Sequence, residues 1–289
     1  MKILLTGGNG FIGRNMAEAL SKKHEVVAPS ETEIDWRNPD AVRELMRNSG
    51  FDAVVHAAER ALYKDDPSEV LESNLRMFTT VTKCAGEEGA KKFVYFGSGL
   101  EYGCEANKIT EDKIGKIIPQ DAYGYQKYLI TRLAPTNMDV VNLRCFGVFG
   151  KYEDYSNRFI SNAICRALYD FPITIRQDRQ YSYVYIDDLC AITEQALTKP
   201  LRHKHYNVCT DEQWSLMDIA RLVRRIAYKD VPINVAKEGK GLSYTGSGAR
   251  LHREMPCTFT PIYDAVKMLF DWYAMNSDLV DKEKILYHR

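Results

Sequence analysis

Thr6-Gly7-Gly8-Asn9-Gly10-Phe11-Ile12-Gly13 directly follows a short apolar run, Ile3–Thr6. It opens a segment of helical periodicity in which Phe11, Ile12, Met16, Ala19 and Leu20 recur. Glycines alone are a weak signal, but strand, glycine turn and helix in that order are a specific one. Gly7 permits the tight turn, Gly10 lets a pyrophosphate approach the backbone, and Gly13 lets helix and strand pack closely. The phosphates then lie at the helix N-terminus, among free N–H groups and the positive end of the helix dipole. The stretch points to a dinucleotide site that includes Gly7, Asn9, Gly10, Phe11, Ile12 and Gly13.

Outward from this loop the alternation continues. Glu25–Ala28 is a second strand. Asn38-Pro39-Asp40 reads as N-cap, proline and acidic first turn of a helix that Gly50 ends. Ala53–Ala57 is a third apolar run. The spacing of Val70, Leu71, Leu75, Phe78 and Val81 predicts a long helix from Pro67 to near Gly89. Phe93–Phe96, a helix around 122–134 and the strand Met138–Leu143 complete the series. Short buried strands alternating with helices predict an α/β fold with a doubly wound parallel sheet, the Rossmann arrangement. The expected division is a dinucleotide-binding domain over 1–150 and a smaller α/β substrate lobe over 151–289. Helices are expected at 157–169, 188–198, 215–228 and 262–274, and polar loops at 201–206 and 237–253. A segment near 180–198 is expected to return to the first domain, with Tyr183–Ile186 apolar enough to rejoin its sheet.

Composition excludes several classes. The 289 residues carry 39 Lys plus Arg against 39 Asp plus Glu, so the basic surplus of a nucleic-acid binder is missing. Hydrophobic content of 45% and charged content of 27% fit a globular chain and not a disordered one. No apolar run approaches the ~18 residues of a membrane helix, and glycines interrupt the N-terminal apolar stretch, so neither a membrane span nor a signal peptide is expected. Seven cysteines without a CxxC pair argue for a reducing, cytoplasmic setting and against a structural zinc site. His203 and His205 stand in a polar loop with no third ligand nearby, so no metal is expected.

The end of the second strand bears on the choice of dinucleotide. NAD sites usually place a carboxylate there for the ribose hydroxyls. Here the tip offers Ser30, while Arg14, Lys22 and Lys23 could meet a 2′-phosphate. NADP(H) is therefore the expected cofactor. Glu31 and Glu33 weigh toward NAD(H), which stays possible.

Tyr123-Gly124-Tyr125-Gln126-Lys127 opens a predicted helix, and positions i and i+4 share a face. A phenol working as acid or base near neutrality needs about 4 kcal/mol of help, which a nearby ammonium and a nicotinium ring could supply by stabilising the phenolate. With 18 tyrosines a chance match to this spacing is expected, and Tyr263 with Lys267 is a second one. The first pair follows a strand ending Phe96-Gly97-Ser98, and the carboxyl ends of such strands are where these sheets bind ligands. The second has no such partner and reads as an ordinary amphipathic helix.

With these residues in place the chain resembles the extended short-chain dehydrogenases/reductases that act on nucleotide sugars, over nearly its whole length. Residues 6–13 match the family's TGxxGxxG, and Leu143-Arg144-Cys145-Phe146-Gly147-Val148-Phe149-Gly150 is similar to LRxxNVYG. Tyr185-Ile186-Asp187-Asp188 resembles VxVDD, and Ser98 with Tyr102-Gly103 resembles the family's strand end. The resemblance makes Ser98, Tyr123 and Lys127 the catalytic set, with Tyr123 and Lys127 also touching the cofactor. It implies adenine contacts for Asp35 and Trp36, a cofactor lining for Ala57 and Ala58 after His56, and a propping role for Asn74. Departures fall on the substrate side. Gly147 stands where the family often has Asn, and Tyr181 stands where many members carry a diphosphate-binding Arg. Asn157, Arg158, Arg179 and Arg250 are the alternative diphosphate ligands.

The resemblance implies hydride transfer between nicotinamide and a ring carbon of a nucleotide-diphosphate sugar, with Tyr123 exchanging the proton and Ser98 orienting the oxygen. A 4-ketoreductase is favoured over a 4-epimerase through the NADP(H) reading. A catalytically idle NAD(P)-sensing protein is the alternative of another class. The family's dehydratases carry Asp-Glu after the strand-end hydroxyl. Gly99 and Leu100 stand there, so no dehydration is expected. A homodimer joined through the helices after Pro67 and Asp121 is also implied.

Overall fold

The computed structural model describes residues 1–61 and 66–286. The chain begins β1 (Lys2–Thr6), α1 (Phe11–Leu20), β2 (Glu25–Val27), α2 (Pro39–Met46), β3 (Ala53–His56), α3 (Pro67–Glu87), β4 (Lys92–Ser98). A helix α4 (Ala122–Leu133) and a strand Asp139–Cys145 follow. The central sheet has six strands in the order His205–Val208, Asp139–Cys145, β4, β3, β1, β2, and every pair is parallel. It is a doubly wound α/β fold.

Period-two alternation divides the inner strands between two cores. Leu4, Val54, Phe93 and Tyr95 face Val42 of α2 and Phe78 and Val81 of α3. Ile3, Leu5, Val55 and Val94 face Met16 and Leu20 of α1. Helices α2 and α3 start on capping side chains. Asn38 accepts from the backbone N–H groups of Asp40 and Ala41, and Asp66 from those of Ser68 and Glu69, each before a proline that has no N–H to lose.

Beyond Gly150, α5 (Phe159–Leu168) leads to a strand Ile173–Asp178, which pairs in parallel with Ile233–Lys240. Then come α6 (Ile186–Thr198) and α7 (Leu216–Ala227), whose Ile219, Val223 and Ile226 are buried. A helix Ile262–Met275 packs its Val266 and Leu269 into the same core. No helix among the described residues is long and apolar enough to cross a membrane.

Three expectations shift. Tyr183–Tyr185 does not enter the large sheet. It pairs with Gly147–Phe149 in a two-stranded sheet of its own, and the following α6 packs on α1 and β4. The expected loop at 201–206 runs into the edge strand His205–Val208, where Asn207 is buried because its side chain donates to the Ile109 carbonyl and accepts from Tyr102. The region 237–253, read as a loop, holds the end of Ile233–Lys240, a strand Tyr244–Gly246 and a short helix Ala249–Glu254. Ile233–Lys240 is largely exposed, so it lacks the apolar alternation that marks a half-buried strand.

Candidate active site

Site construction starts at the glycine turn. Gly7 has φ +72°, and a Cβ on Gly13 would lie 1.9 Å from the Gly7 carbonyl oxygen, so β1 and α1 meet as closely as bare backbone permits. Gly10 caps α1 without any side-chain bond, leaving the first-turn N–H groups for an anion, and Phe11 and Ile12 line the cavity beside them. That open helix end fits a dinucleotide pyrophosphate. Asn9 is exposed at the loop tip. Thr6 Oγ1 meets His56 Nδ1 at 2.8 Å and accepts from Ala58 N–H, which fixes Ala57 and Ala58 along the cavity. Burial, with the Lys127 charge nearby, pushes the His56 pKa down to about 3, so this ring is neutral.

One cavity of about 430 Å³ runs from this turn to the second lobe, and Ser98, Tyr123 and Lys127 line it together. Asp121 accepts from Gly124 N–H at 2.7 Å and starts α4, which sets Tyr123 and Lys127 one turn apart. The Lys127 ammonium donates to the Phe96 carbonyl at 2.9 Å and lies 5.6 Å from the Tyr123 ring centre. Glu59, which sequence reasoning overlooked, holds that ammonium at 2.9 Å. Gln126 donates to Glu59 at 2.8 Å, and Asn74 donates to Gln126 at 2.9 Å while bracketing the Arg60 backbone. Asn74 thus props the site through Gln126. Glu59 immediately follows His56-Ala57-Ala58, and that adjacency is its sequence signal, whereas its partner Lys127 is distant in the chain.

Electrostatics at Tyr123 run against the Lys127 part of the expected acidification. Burial and the Glu59 carboxylate push its pKa up to about 12, against the opposing pull of Lys127 and Arg158. Burial opposes the Lys127 charge, yet Glu59 and Tyr123 hold its pKa above the ordinary value.

Ser98 caps the turn that follows β4. Its Oγ accepts from Leu100 N–H, and its N–H donates to Glu101 at 3.0 Å. Glu101 is fully buried, with Arg144 donating to it twice, at 3.0 and 2.9 Å, and Thr131 at 2.8 Å. It braces the strand end from behind and does not line the cavity.

On the cofactor's adenosine side, Ser30 donates from its N–H and its hydroxyl to Glu33, both at 2.7 Å. Arg14 lies 4.4 Å above the Tyr152 ring. Asp35 is bound by Arg37 at 2.8 Å, beside a second, polar cavity. Trp36 is buried in the core with Leu4 and Val42, which leaves it little surface for adenine.

On the substrate side, Asn157, Arg158 and Arg179 line the cavity, with Asn157 also donating to Asp154 and Arg179 to the Leu242 carbonyl. Arg250 does not join them. It donates to the His205 carbonyl at 3.1 Å and faces Glu111 at 3.8 Å, because its helix packs behind His205–Val208. Tyr181 and Tyr183 stack 5.4 Å apart on the wall. A Cβ at Gly147 would lie 2.8 Å from the Tyr183 ring and 2.9 Å from the Ser182 carbonyl, so the family's Asn has no room here. Tyr263 and Lys267 lie outside the cavity, with Lys267 paired to Asp271. Tyr244 and Glu153 line the cavity and went unforeseen. Burial pushes the Glu153 pKa up to about 8.

Known proteins share this architecture. The family model described as "NAD dependent epimerase/dehydratase family" matches residues 3–209. A UDP-glucose 4-epimerase of Corynebacterium glutamicum is 24% identical, covering 98% of each chain. A GDP-6-deoxy-D-talose 4-dehydrogenase of Aggregatibacter actinomycetemcomitans is 23% identical over 81% of this chain and 82% of its own. The structure of a GDP-L-fucose synthetase from Naegleria fowleri bound to NADP superposes with a TM-score of 0.86 at 19% identity, covering 97% and 95% of the two chains. These relatives are enzymes, and the idle-sensor alternative finds no support among them. The chain therefore belongs to the NAD dependent epimerase/dehydratase family, as an NAD(P)-dependent enzyme of the extended short-chain dehydrogenase/reductase type.

Proposed function

We propose that this enzyme is a 4-ketoreductase of a nucleotide-diphosphate sugar, with NADP(H) as its cofactor. The observation that supports this reading is the Glu59–Lys127 contact beside Tyr123, which favours the protonated phenol from which ketone reduction starts. Reduction of a ketone needs a protonated phenol, whereas oxidation of an alcohol needs a base. With Lys127 neutralised by Glu59 and Tyr123 buried, the phenol keeps its proton at neutral pH.

The reduced nicotinamide, when bound, supplies the hydride to the ketone carbon. Ser98 donates a hydrogen bond to the ketone oxygen. Tyr123 then gives its phenolic proton to that oxygen, so C=O becomes C–O–H and the phenolate is left beside Lys127. Lys127 also holds the nicotinamide ribose, and the phenolate regains a proton from solvent. Arg158, Arg179 and Asn157, which line the same cavity, take the diphosphate. Residues 1–150 supply most of the cofactor domain, to which α6 and the edge strand His205–Val208 return, and the rest of the chain beyond 150 supplies the substrate lobe. Seven free thiols support a cytoplasmic setting. A homodimer through α3 and α4 is supported by the exposed Tyr125 and Leu133 of α4.

A second reading, a 4-epimerase that retains NAD, is favoured by one observation. Glu33 at Ser30 puts a carboxylate where a ribose diol would bind and a 2′-phosphate would be repelled. A panel assay separates the two. The protein is given NADPH and 4-keto sugar nucleotides, and nicotinamide absorbance is followed. Separately it is given UDP-glucose without added cofactor. Stoichiometric NADPH consumption supports the reductase. Conversion of UDP-glucose to its C4 epimer replaces it with the second reading, and no turnover in either arm overturns both.

A further inference from the structure

Tyr244 reaches the catalytic set from the far side of the chain. Its strand, Tyr244–Gly246, pairs in parallel with Ala106–Ile109 and meets Tyr181. The phenol ring packs against Phe146 at 5.2 Å and Tyr181 at 5.8 Å, and its hydroxyl lies 3.2 Å from Ser98 Oγ. Both residues are buried and both line the cavity.

A serine hydroxyl has one proton and two acceptor lone pairs. Leu100 N–H occupies one lone pair of Ser98 at 3.2 Å. A phenol is the better donor and the poorer acceptor of the two hydroxyls, so the Tyr244 proton takes the other lone pair. That leaves Ser98 without a further lone pair and its own proton available to an acceptor in the cavity it lines.

We propose that Tyr244 is a positioning residue: by donating to Ser98 Oγ it commits the serine to donate to the oxygen of the reacting sugar carbon. A site with that polarity receives a carbonyl or alkoxide oxygen. The proposal rests on the ketoreductase reading and names the group that sets Ser98's role in it.

Tyr244→Phe keeps the ring and removes only the hydroxyl. With the 4-keto sugar nucleotide that the parent enzyme reduces, kcat should fall about tenfold or more while the NADPH KM stays unchanged. In a Ser98→Ala background the same substitution should cause no further loss, because its target is gone. Urea midpoints of the parent, the two single variants and the double variant are measured beside the kinetics, and they should be non-additive in the same sense. Additive midpoints would show that no Tyr244–Ser98 bond exists. An unchanged kcat with coupled midpoints reduces the contact to a structural one and overturns the positioning role. A parent inert toward every sugar nucleotide sinks the functional reading and this role with it, and coupled midpoints then leave only a structural bond.

Discussion

The Glu59 carboxylate lies 2.9 Å from the Lys127 ammonium, inside the cavity that also holds Tyr123. A lone lysine beside a tyrosine favours the phenolate. A lysine already paired with a carboxylate favours it much less, and burial adds to the bias toward the neutral phenol. Burial first and the Glu59 charge second therefore raise the pKa of the proton carrier, against the pull of Lys127.

Glu59→Gln should move that state in a defined direction. Removing a negative charge near the phenol lowers the Tyr123 pKa. Reduction requires the protonated phenol, so rate is lost as pH rises through that pKa. The alkaline limb of the kcat profile should move down by about one pH unit in the variant. An unmoved limb, or one moved upward, would show that Glu59 does not tune Tyr123.

Tyr123→Phe should abolish turnover, by about a thousandfold or more, while cofactor affinity measured by titration stays within about threefold. Tyr263→Phe should retain most activity, since Tyr263 lies on the outer helix with Arg225 over its ring. Greater damage from the second substitution would mean that the site has been placed on the wrong Tyr/Lys pair.

Glu33 is the test of cofactor choice. It accepts two hydrogen bonds from Ser30 and faces solvent, so it is free to repel a 2′-phosphate. Glu33→Gln should raise the affinity for NADPH relative to NADH by about threefold to tenfold. An unchanged ratio in a titration of both cofactors would remove Glu33 from the ribose site.

Much of this was readable from local spacing. The glycine turn, the Tyr123/Lys127 pair and the strand-end Ser98 carry their signal within a few residues, and the fold assembles them around one cavity. Trp36 and Arg250 read as ligands because residue type and motif position cannot tell a surface from a core. Trp36 is buried behind β1, and Arg250 turns to Glu111. Glu59 and Tyr244 went unread for the opposite reason. Their roles depend on partners 68 and 146 residues away, Lys127 and Ser98.

Glu153 should make stability depend on pH. Its pKa is raised to about 8 by burial, above an unfolded value of about 4.3. The folded state therefore binds more protons than the unfolded one between those values, and stability falls as pH rises through the window. The loss from this group between about pH 5 and pH 8 is on the order of 3 kcal/mol. Glu153→Gln should flatten that dependence and leave the variant more stable than the parent at pH 8, as read from urea midpoints at the two pH values. A parent whose stability is level across the window would place the Glu153 titration elsewhere.

Dehydratase chemistry is the last reaction to test. Elimination of water across C5 and C6 of a 4-keto hexose takes an acid and a base in addition to the proton carrier. The residues after Ser98 are Gly99 and Leu100, which transfer no proton. Glu101 comes next and is the one carboxylate in that turn, but it is fully buried, bonded by Arg144 and Thr131, and turned away from the cavity. Freeing it to act would leave the Arg144 guanidinium buried and unpaired, at a cost of several kcal/mol. Nucleotide hexoses incubated with the enzyme and NAD should therefore yield no 6-deoxy-4-keto product by mass spectrometry. Glu101→Gln should lower the urea midpoint sharply, because it breaks a buried ion pair. Accumulation of the 6-deoxy-4-keto product in the parent, lost in Glu101→Gln, would make Glu101 a proton carrier and overturn its assignment as a brace.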